Sequence, residues 1–503
     1  MAERDENSLN FTNVSGIGMG RRKQPTNPYK AEIPFTKLGR WWHDRNYNQE
    51  QTENNYGTES DARTLYSGEP EKTTLRVLTQ NLWANPLTAK DVAGRVAGMG
   101  KMLDQFDVAC FQEVYHPRER DSLRRSGMIN GLFHSRYFEP GCGVFSNSGT
   151  GLFVISRYPI IEAVFQRFMV SGRPHRAGAG NSLHAARGAA LVRIMTRGGP
   201  VDIYVAHLLA NWQPPLMQMF DGKQADPLKA HRLSQAFELA HFIRLTARSP
   251  LVLLCVDLAA GPDSLCYGLQ RSFARMRDAV TTGHPGNEEK DDQCTTGLED
   301  NPYKSKDEKP RRHHFIFFKV REGENSVWRL KSAFRTTKSA QASKILPQGG
   351  PISRHAGVVA EFCMDLEKDP EFFEEAFPLG PLMVKVLSTL RTGIHAAQLR
   401  SQIHRGYAQV AGGVWFLLFC AAIAGDADPP LQAVFVVLSG LSALVAAVFF
   451  IFSSVFTKEE LNGLREVLHS ARNVDIHLPI DEAYSCSGFD TSQLQNYMND
   501  FYK

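Results

Sequence analysis

Two long apolar runs near the C-terminus constrain this chain more than any other feature. Residues 408–425 and 431–456 carry no charged side chain, are 18 and 26 residues long, and are joined only by the five residues DADPP. A helix of about 20 apolar residues crosses a hydrocarbon core of roughly 30 Å, and a helix satisfies its own backbone there. So short a link forces the two runs into a hairpin. Arg400, Arg405 and Lys458 flank its outer ends, whereas Asp426 and Asp428 lie in the link. Positively charged flanks stay on the cytosolic side. An integral membrane protein is therefore expected, with both outer ends and the main domain on the cytosolic or equivalent side. Residues 382–405, with Lys385, Arg391, Arg400 and Arg405, read as a basic amphipathic helix lying on anionic lipid. A chain ending near residue 365 is then expected to be soluble without detergent.

The rest of the chain divides by composition. Residues 1–70 are polar, with little periodicity, and read as an extended arm that needs a protein partner to hold it. Residues 71–365 read as one folded domain, 366–407 as an acidic linker and the basic helix, 408–456 as the hairpin, and 457–503 as a polar tail. The net charge of +4 is mild, and the first 380 residues hold no concentrated basic stripe, which argues against nucleic acid as a partner. The eight cysteines form no CxxC pair and read as inert buried thiols. The acidic N-terminal MAERDENSLNF lacks the apolar core of a secretory signal.

Within the domain, residues 251–262, LVLLCVDLAAGP, read as a buried strand that delivers Asp257 at its end and breaks at Gly261-Pro262. Other strands end on chemistry-bearing residues in the same way. Residues 74–83 deliver Asn81, 106–114 deliver Glu113, and 201–208 deliver His207. Residues 311–320, RRHHFIFFKV, and 352–364, which include His355, read as the last strands. Helices are expected over 88–104 and 227–245 from the spacing of Val92, Val96 and Met99, and of Leu233, Phe237 and Ala240.

These residues carry a resemblance. QNLW at 80–83, FQEV at 111–114, TGLFVISRYPI at 150–160, HLLANW at 207–212, HRLSQAFELAHFI at 231–243, DLAAGPDSLCYGL at 257–269 and RHAGV at 354–358 follow in order. They resemble the neutral sphingomyelinases and inositol phosphosphingolipid phospholipases C, within the endonuclease/exonuclease/phosphatase superfamily, a family that also carries two C-terminal membrane helices. The resemblance implies a four-layer α/β sandwich plus a C-terminal two-helix transmembrane hairpin. It also implies Mg²⁺-dependent hydrolysis of the phosphodiester that joins ceramide to its head group. Glu113 would hold the metal with Asn81 beside it, His207 and His355 would contact the phosphate, and Asp257 would orient the attacking water. All five are expected to converge at one end of the sheets.

The departures from that pattern bear on activity. The family's GDLN is VDLA here: Val256 stands in place of glycine and Ala259 in place of the asparagine that donates to the phosphate. Removing such a donor costs roughly 10²–10³ in rate. The family's SDH is Ser353-Arg354-His355, the aspartate of its RxDY strand is His314, its lysine-glycine is Arg187-Gly188, and its acidic switch residue falls at Ser182. A cation at 354 about 5 Å from a dication, at an effective dielectric near 20, would repel it by about 6 kcal/mol. The expectation is a membrane-anchored sphingomyelinase-like protein with an impaired site, a pseudoenzyme serving as a structural or binding subunit of a larger assembly, with membrane lipid and a sphingolipid as its ligands. The alternative is an active Mg²⁺-dependent phosphodiesterase with altered head-group preference. A nuclease, the third activity of the superfamily, fits neither the hairpin nor the charge.

Overall fold

The computed structural model describes residues 74–85, 88–139, 149–172, 187–210, 226–283, 293–305, 308–321, 327–336, 351–365, 378–424 and 428–476. The arm over 1–70 with its expected partner, Ser182, the acidic stretch before 378 and the tail beyond 476 lie outside these residues.

Among the described residues, twelve strands form two mixed sheets of six. They are β1 (Thr74–Asn81), β2 (Val108–Gln112), β3 (His134–Tyr137), β4 (Phe153–Ser156), β5 (Ile160–Arg167) and β6 (Gly188–Thr196), followed by β7 (Gly199–His207), β8 (Leu251–Asp257), β9 (Arg277–Asp278), β10 (His314–Val320), β11 (Val327–Arg335) and β12 (Val358–Asp365). The first sheet runs β11-β12-β1-β2-β4-β3 and the second β5-β6-β7-β8-β10-β9. Only β1 with β2, and β7 with β8, pair in parallel; the other pairs are antiparallel.

The alternation along β8 shows how the sandwich is built. Leu251, Leu253 and Cys255 join Val77, Val108, Ala360 and Phe362 of the first sheet in an inter-sheet core. Val252, Leu254 and Val256 face the other way, into a cluster with helical side chains. Val256 therefore packs in this outer core, away from the site. Each side chain so buried stabilises the fold by about 1.5–3 kcal/mol. Helices α1 (Val92–Lys101) and α2 (Pro117–Ile129) cover the outer face of the first sheet through Val96, Met99 and Leu123. Helix α3 (Lys229–Thr246) covers the second through Leu233, Phe237 and Ala240. The four-layer α/β sandwich is the observed fold.

The C-terminal helices complete that outer layer, and here the structure departs from the sequence reading. Helix α4 (Leu379–Ala424) is continuous through the expected basic helix and the first apolar run, and α5 (Pro429–Ile451) runs back, followed by α6 (Thr457–Ile476). Leu382, Met383, Val386, Leu387 and Leu390 of α4 are buried in the same cluster as α3, joined by Leu464, Val467, Leu468 and Ala471 of α6. The basic helix is thus docked on protein rather than spread on lipid, and the stretch read as a polar tail begins as a core helix. The domain does not close at residue 365. Burying an apolar stripe decides the matter, because the outer faces of Phe237 and Ala240 need a cover that the sheets cannot supply.

Beyond the domain, α4 and α5 pack as a hairpin. Ser442 Oγ donates to Ala411 O at 2.8 Å and the Tyr407 and Phe449 rings lie 5.2 Å apart. Both helices are long and apolar enough to cross a membrane. Val414, Phe416, Leu417, Leu438 and Leu444 are exposed along it.

Candidate active site

Strand register brings the site together. His207, Asp257 and His314 are direct neighbours across β7, β8 and β10. In the facing sheet Asn81 pairs with Gln112, so Glu113 follows one residue beyond. The residue after a strand must turn sharply here. Trp83, Glu113 and Ala259, just past β1, β2 and β8, have φ of 47°, 61° and 49°. Left-handed backbone at non-glycine residues is strained, and its concentration around one cluster points to a functional site.

Asn81 links the two carboxylates. Its Nδ2 donates to Glu113 Oε1 at 3.1 Å and to Asp257 Oδ2 at 3.0 Å, while its Oδ1 accepts from the Trp83 N–H at 2.8 Å. His207 Nε2 lies 3.8 Å from Glu113 Oε1 and 3.7 Å from Asp257 Oδ2. His314 Nε2 is 3.1 Å from Asp257 Oδ2, close enough to pair with the carboxylate. The His355 and His314 rings meet edge-on with centroids 4.9 Å apart. All five expected residues and His314 therefore share one end of the sandwich. His355 sits in the loop before β12, not on a strand, because its backbone carbonyl is taken by Gln80 Nε2 at 2.9 Å and its N–H by Ser353 Oγ at 3.2 Å. Gly357 lets that loop lie on β1: a Cβ there would come within 2.9 Å of Thr79 O.

Burial and charge then separate the groups. Burial pushes the Glu113 carboxyl up, against the Asn81 hydrogen bond and the Arg187 charge. Burial also pushes Asp257 up, but His314, His207 and His355 outweigh it and hold Asp257 well below the usual carboxylate range. Burial, reinforced by Arg187, drives His207 down to about 3. Burial, with His314 and Arg354 nearby, drives His355 well below its ordinary value. At neutral pH the site presents an anionic Asp257 and neutral His207 and His355 rings. Divergent acids of this kind suit proton management and the orientation of a nucleophile.

The departures lie as follows. Ala259 offers no side-chain donor, and its backbone N–H is given to Asp257 Oδ1 at 3.0 Å. Arg354 does not stand at the metal position as expected. It turns to Glu308, with Nε at 3.1 Å and Nη2 at 2.5 Å from Oε2, and to Ser305. Its charge still helps to lower His355, but the expected 6 kcal/mol repulsion is largely answered by Glu308. Arg187 is buried and donates to His207 O at 3.0 Å.

Sequence reasoning missed Arg95 and Thr295. Arg95, 1% exposed, donates to Leu82 O, Trp83 O, Lys90 O and Ile352 O, and its guanidinium faces the Trp83 and Tyr303 rings. It ties the turn after Asn81 to the loop before His355. A single arginine in the small, apolar stretch VAGRVAGMG was the available signal. Thr295 Oγ1 contacts His314 Nδ1 at 3.0 Å and carries no sequence signal.

The residues fit Mg²⁺ poorly. Magnesium demands octahedral oxygen ligands. Here imidazoles outnumber the two carboxylates among the groups that converge.

The endonuclease/exonuclease/phosphatase family model matches residues 78–253. A Drosophila melanogaster protein that carries a neutral sphingomyelinase name is 32% identical over 240 residues, covering 47% of this chain and 49% of its own. Sphingomyelin phosphodiesterase 2 of Rattus norvegicus is 27% identical over 367 residues, covering 70% of this chain and 81% of the rat protein. Among solved structures, beta toxin of Staphylococcus aureus is 16% identical with a TM-score of 0.42, covering 57% of this chain and 99% of the toxin. This chain thus spans about half the length of its fly relative and about four fifths of the rat protein. The sandwich, the clustered strand-end residues, the two apolar C-terminal helices, the family model and the two relatives agree, and the chain is similar to the neutral sphingomyelinases within the endonuclease/exonuclease/phosphatase superfamily.

Proposed function

We propose that the protein is a membrane-anchored, sphingomyelinase-like lipid-binding subunit whose site is impaired for Mg²⁺-dependent hydrolysis. The observation that carries this reading is His314 standing beside Asp257. An imidazole nitrogen lies 3.1 Å from the carboxylate that should orient water, where the resemblance expects an aspartate. Ala259 adds a second loss, since neither its side chain nor its engaged N–H can serve a phosphoryl oxygen. What survives can still bind. Neutral His207 and His355 can donate to a phosphodiester, and buried Arg187 supplies positive charge nearby.

Orientation supports a lipid ligand. Arg232, in the first turn of α3, donates to Leu209 O at 3.1 Å, two residues past His207, so α3 begins at the site end of the sandwich. His231, beside it, meets Glu460 at 2.9 Å, and Glu460 meets Arg400 at 2.5 Å. Helix α4 therefore leaves the domain at the site end and continues into the apolar run. The site would then lie at the end of the domain from which the hairpin enters the bilayer, with both hairpin ends on the cytosolic or equivalent side.

Sphingomyelin hydrolysis by the full chain in mixed micelles with Mg²⁺ tests the reading. Turnover should fall below about 0.01 s⁻¹, against roughly 1–10³ s⁻¹ for ordinary enzymes. The double substitution Ala259→Asn with His314→Asp should raise it at least about tenfold. Adding Arg354→Asp should change little further, because Arg354 is held by Glu308. A wild-type turnover near 1 s⁻¹ that Glu113→Ala abolishes would instead establish the active phosphodiesterase with altered head-group preference.

A further inference from the structure

After His207, β7 leaves the sheet and buried side chains take over its main chain. Arg187 Nη1 donates to His207 O at 3.0 Å, Gln235 Oε1 accepts the Leu209 N–H at 3.0 Å, and Arg232 Nη1 donates to Leu209 O at 3.1 Å. Gln235 and Arg232 are both buried, and residues three apart on α3 share one face of the helix. We infer that Arg232 and Gln235 are positioning residues for His207, held in turn by the docked helices α4 and α6, so that the apolar hairpin and the ligand-binding end of the domain form one coupled unit. This rests on the reading that His207 meets the phosphate of a lipid.

The surroundings of His207 make its main chain decisive. Its Nδ1 has no hydrogen-bond partner among the described residues, and its Nε2 stands 3.7 and 3.8 Å from the two carboxylates, beyond hydrogen-bond reach. The direction of the ring therefore follows from the backbone that carries it. Buried main-chain groups need partners, and both groups of Leu209 find theirs on α3.

Helix α3 is fixed from outside at the same turns. His231, next to Arg232, meets Glu460 of α6, and Glu460 meets Arg400 of α4. Two glycines bring these outer helices close. A Cβ on Gly393 of α4 would overlap Ala230 Cβ, and one on Gly463 of α6 would come within 2.8 Å of Val170 Cγ2. The Val170 carbonyl accepts from Gln235 Nε2 at 2.8 Å, so α6 reaches the same glutamine by a second route. Close packing of this kind transmits a shift of α4 or α6 instead of absorbing it. Linkage is reciprocal, so ligand at the site also favours the docked helices.

The test uses the full chain in dodecyl maltoside micelles, with ¹³C-labelled histidine rings read by NMR and N-hexanoyl sphingomyelin titrated by calorimetry. The His207 resonance is assigned by its loss in His207→Gln. Spectra are taken well below each variant's melting temperature, so a shift reports position rather than unfolding. Gln235→Leu and Arg232→Met should each move that resonance in the ligand-free protein and weaken sphingomyelin binding by about tenfold, within the roughly 5–150-fold that coupled sites span. Gly393→Ala acts from α4, outside the site, and should do both by pressing on Ala230. Adding Ala230→Gly makes room for the new methyl and should restore both readouts. Gly463→Ala, pressed on Val170, should act as Gly393→Ala does and replaces it if that variant fails to fold. A His207 resonance unmoved by Gln235→Leu and Arg232→Met would overturn the positioning role. One unmoved by the glycine variants would overturn the coupling to α4 and α6. A wild type that binds no sphingomyelin would sink the lipid-binding reading alone, because the resonance is read without ligand.

Discussion

Ala259 ends β8 with φ of 49°, in a left-handed conformation that costs an ordinary L-residue about 1–2 kcal/mol. Glycine adopts it freely and asparagine is several-fold enriched there. Ala259→Asn should therefore stabilise the protein by about 0.5–1 kcal/mol while adding back a phosphate donor, and Ala259→Gly should stabilise it similarly. Chemical unfolding of both variants checks this. A lower midpoint for both would show that the turn is held without strain. The departure at 259 was readable in the sequence, because alanine cannot donate. Its strain was not, since nothing in LAAGP fixes the sign of φ at one alanine. Arg354 shows the converse limit. Its charge was legible, but its partner Glu308 lies 46 residues upstream in a charged loop. Only the fold could bring the two together and cancel most of the expected repulsion.

At the level of elements, α3 was legible from Leu233, Phe237 and Ala240, whereas the role of α6 was hidden by its charges. The stripe Leu464, Val467, Leu468 and Ala471 has helical spacing, yet it sits within KEELNGLREVLHSARN and reads as polar on average. α2 and β11 are charged as well and were not anticipated. Docking of α6 depends on Glu460, 8% exposed, between His231 of α3 and Arg400 of α4. Removing one partner of a buried ion pair typically costs 3–5 kcal/mol. Glu460→Ala should lower stability by about 3 kcal/mol, and limited proteolysis should cut first near residues 457–476. A second handle on the same layer is Glu238 of α3. It accepts from Met169 N and Ser234 Oγ, and burial raises its carboxyl to about 7. The folded state then holds the proton more tightly than the unfolded chain, whose glutamate titrates near 4.5. Its contribution to stability is full below pH 4.5 and declines as pH rises to about 7. Glu238→Gln should therefore stabilise the protein by about 1–2 kcal/mol at pH 8 and not at pH 4.5. Melting curves at the two pH values decide it. A gain of equal size at both would assign the effect to packing rather than to the proton.

For the molecule as a whole, anchor and domain are one body rather than a domain on a tether. Nine apolar side chains of α4 and α6, from Leu382 to Ala471, are buried in the cluster that covers the second sheet. At about 1.5–3 kcal/mol each, their removal would exceed the roughly 5–15 kcal/mol that separates folded from unfolded domains. A chain ending near residue 365 should therefore aggregate, contrary to the expectation drawn from composition. The exposed apolar surface long enough to cross a bilayer lies elsewhere, along the hairpin at Val414, Phe416, Leu417, Leu438 and Leu444. The two requirements can be separated. Arg400 and Glu460 meet at 2.5 Å, and Ser401 Oγ donates to Ser453 O at 3.3 Å, so α4 and the chain entering α6 run side by side at the domain edge. Packed helices stand about 8–10 Å apart, a gap that about six flexible residues cover. Excising 408–456 and joining the ends with a Gly/Ser linker of that length should give a protein that stays soluble without detergent, keeps the wild-type far-ultraviolet dichroism and no longer pellets with vesicles. The chain cut at 365 should fail on the first two counts. If the excised protein still pellets, a surface other than the hairpin binds the bilayer. If the chain cut at 365 is soluble and folded, the docked halves of α4 and α6 do not belong to the core.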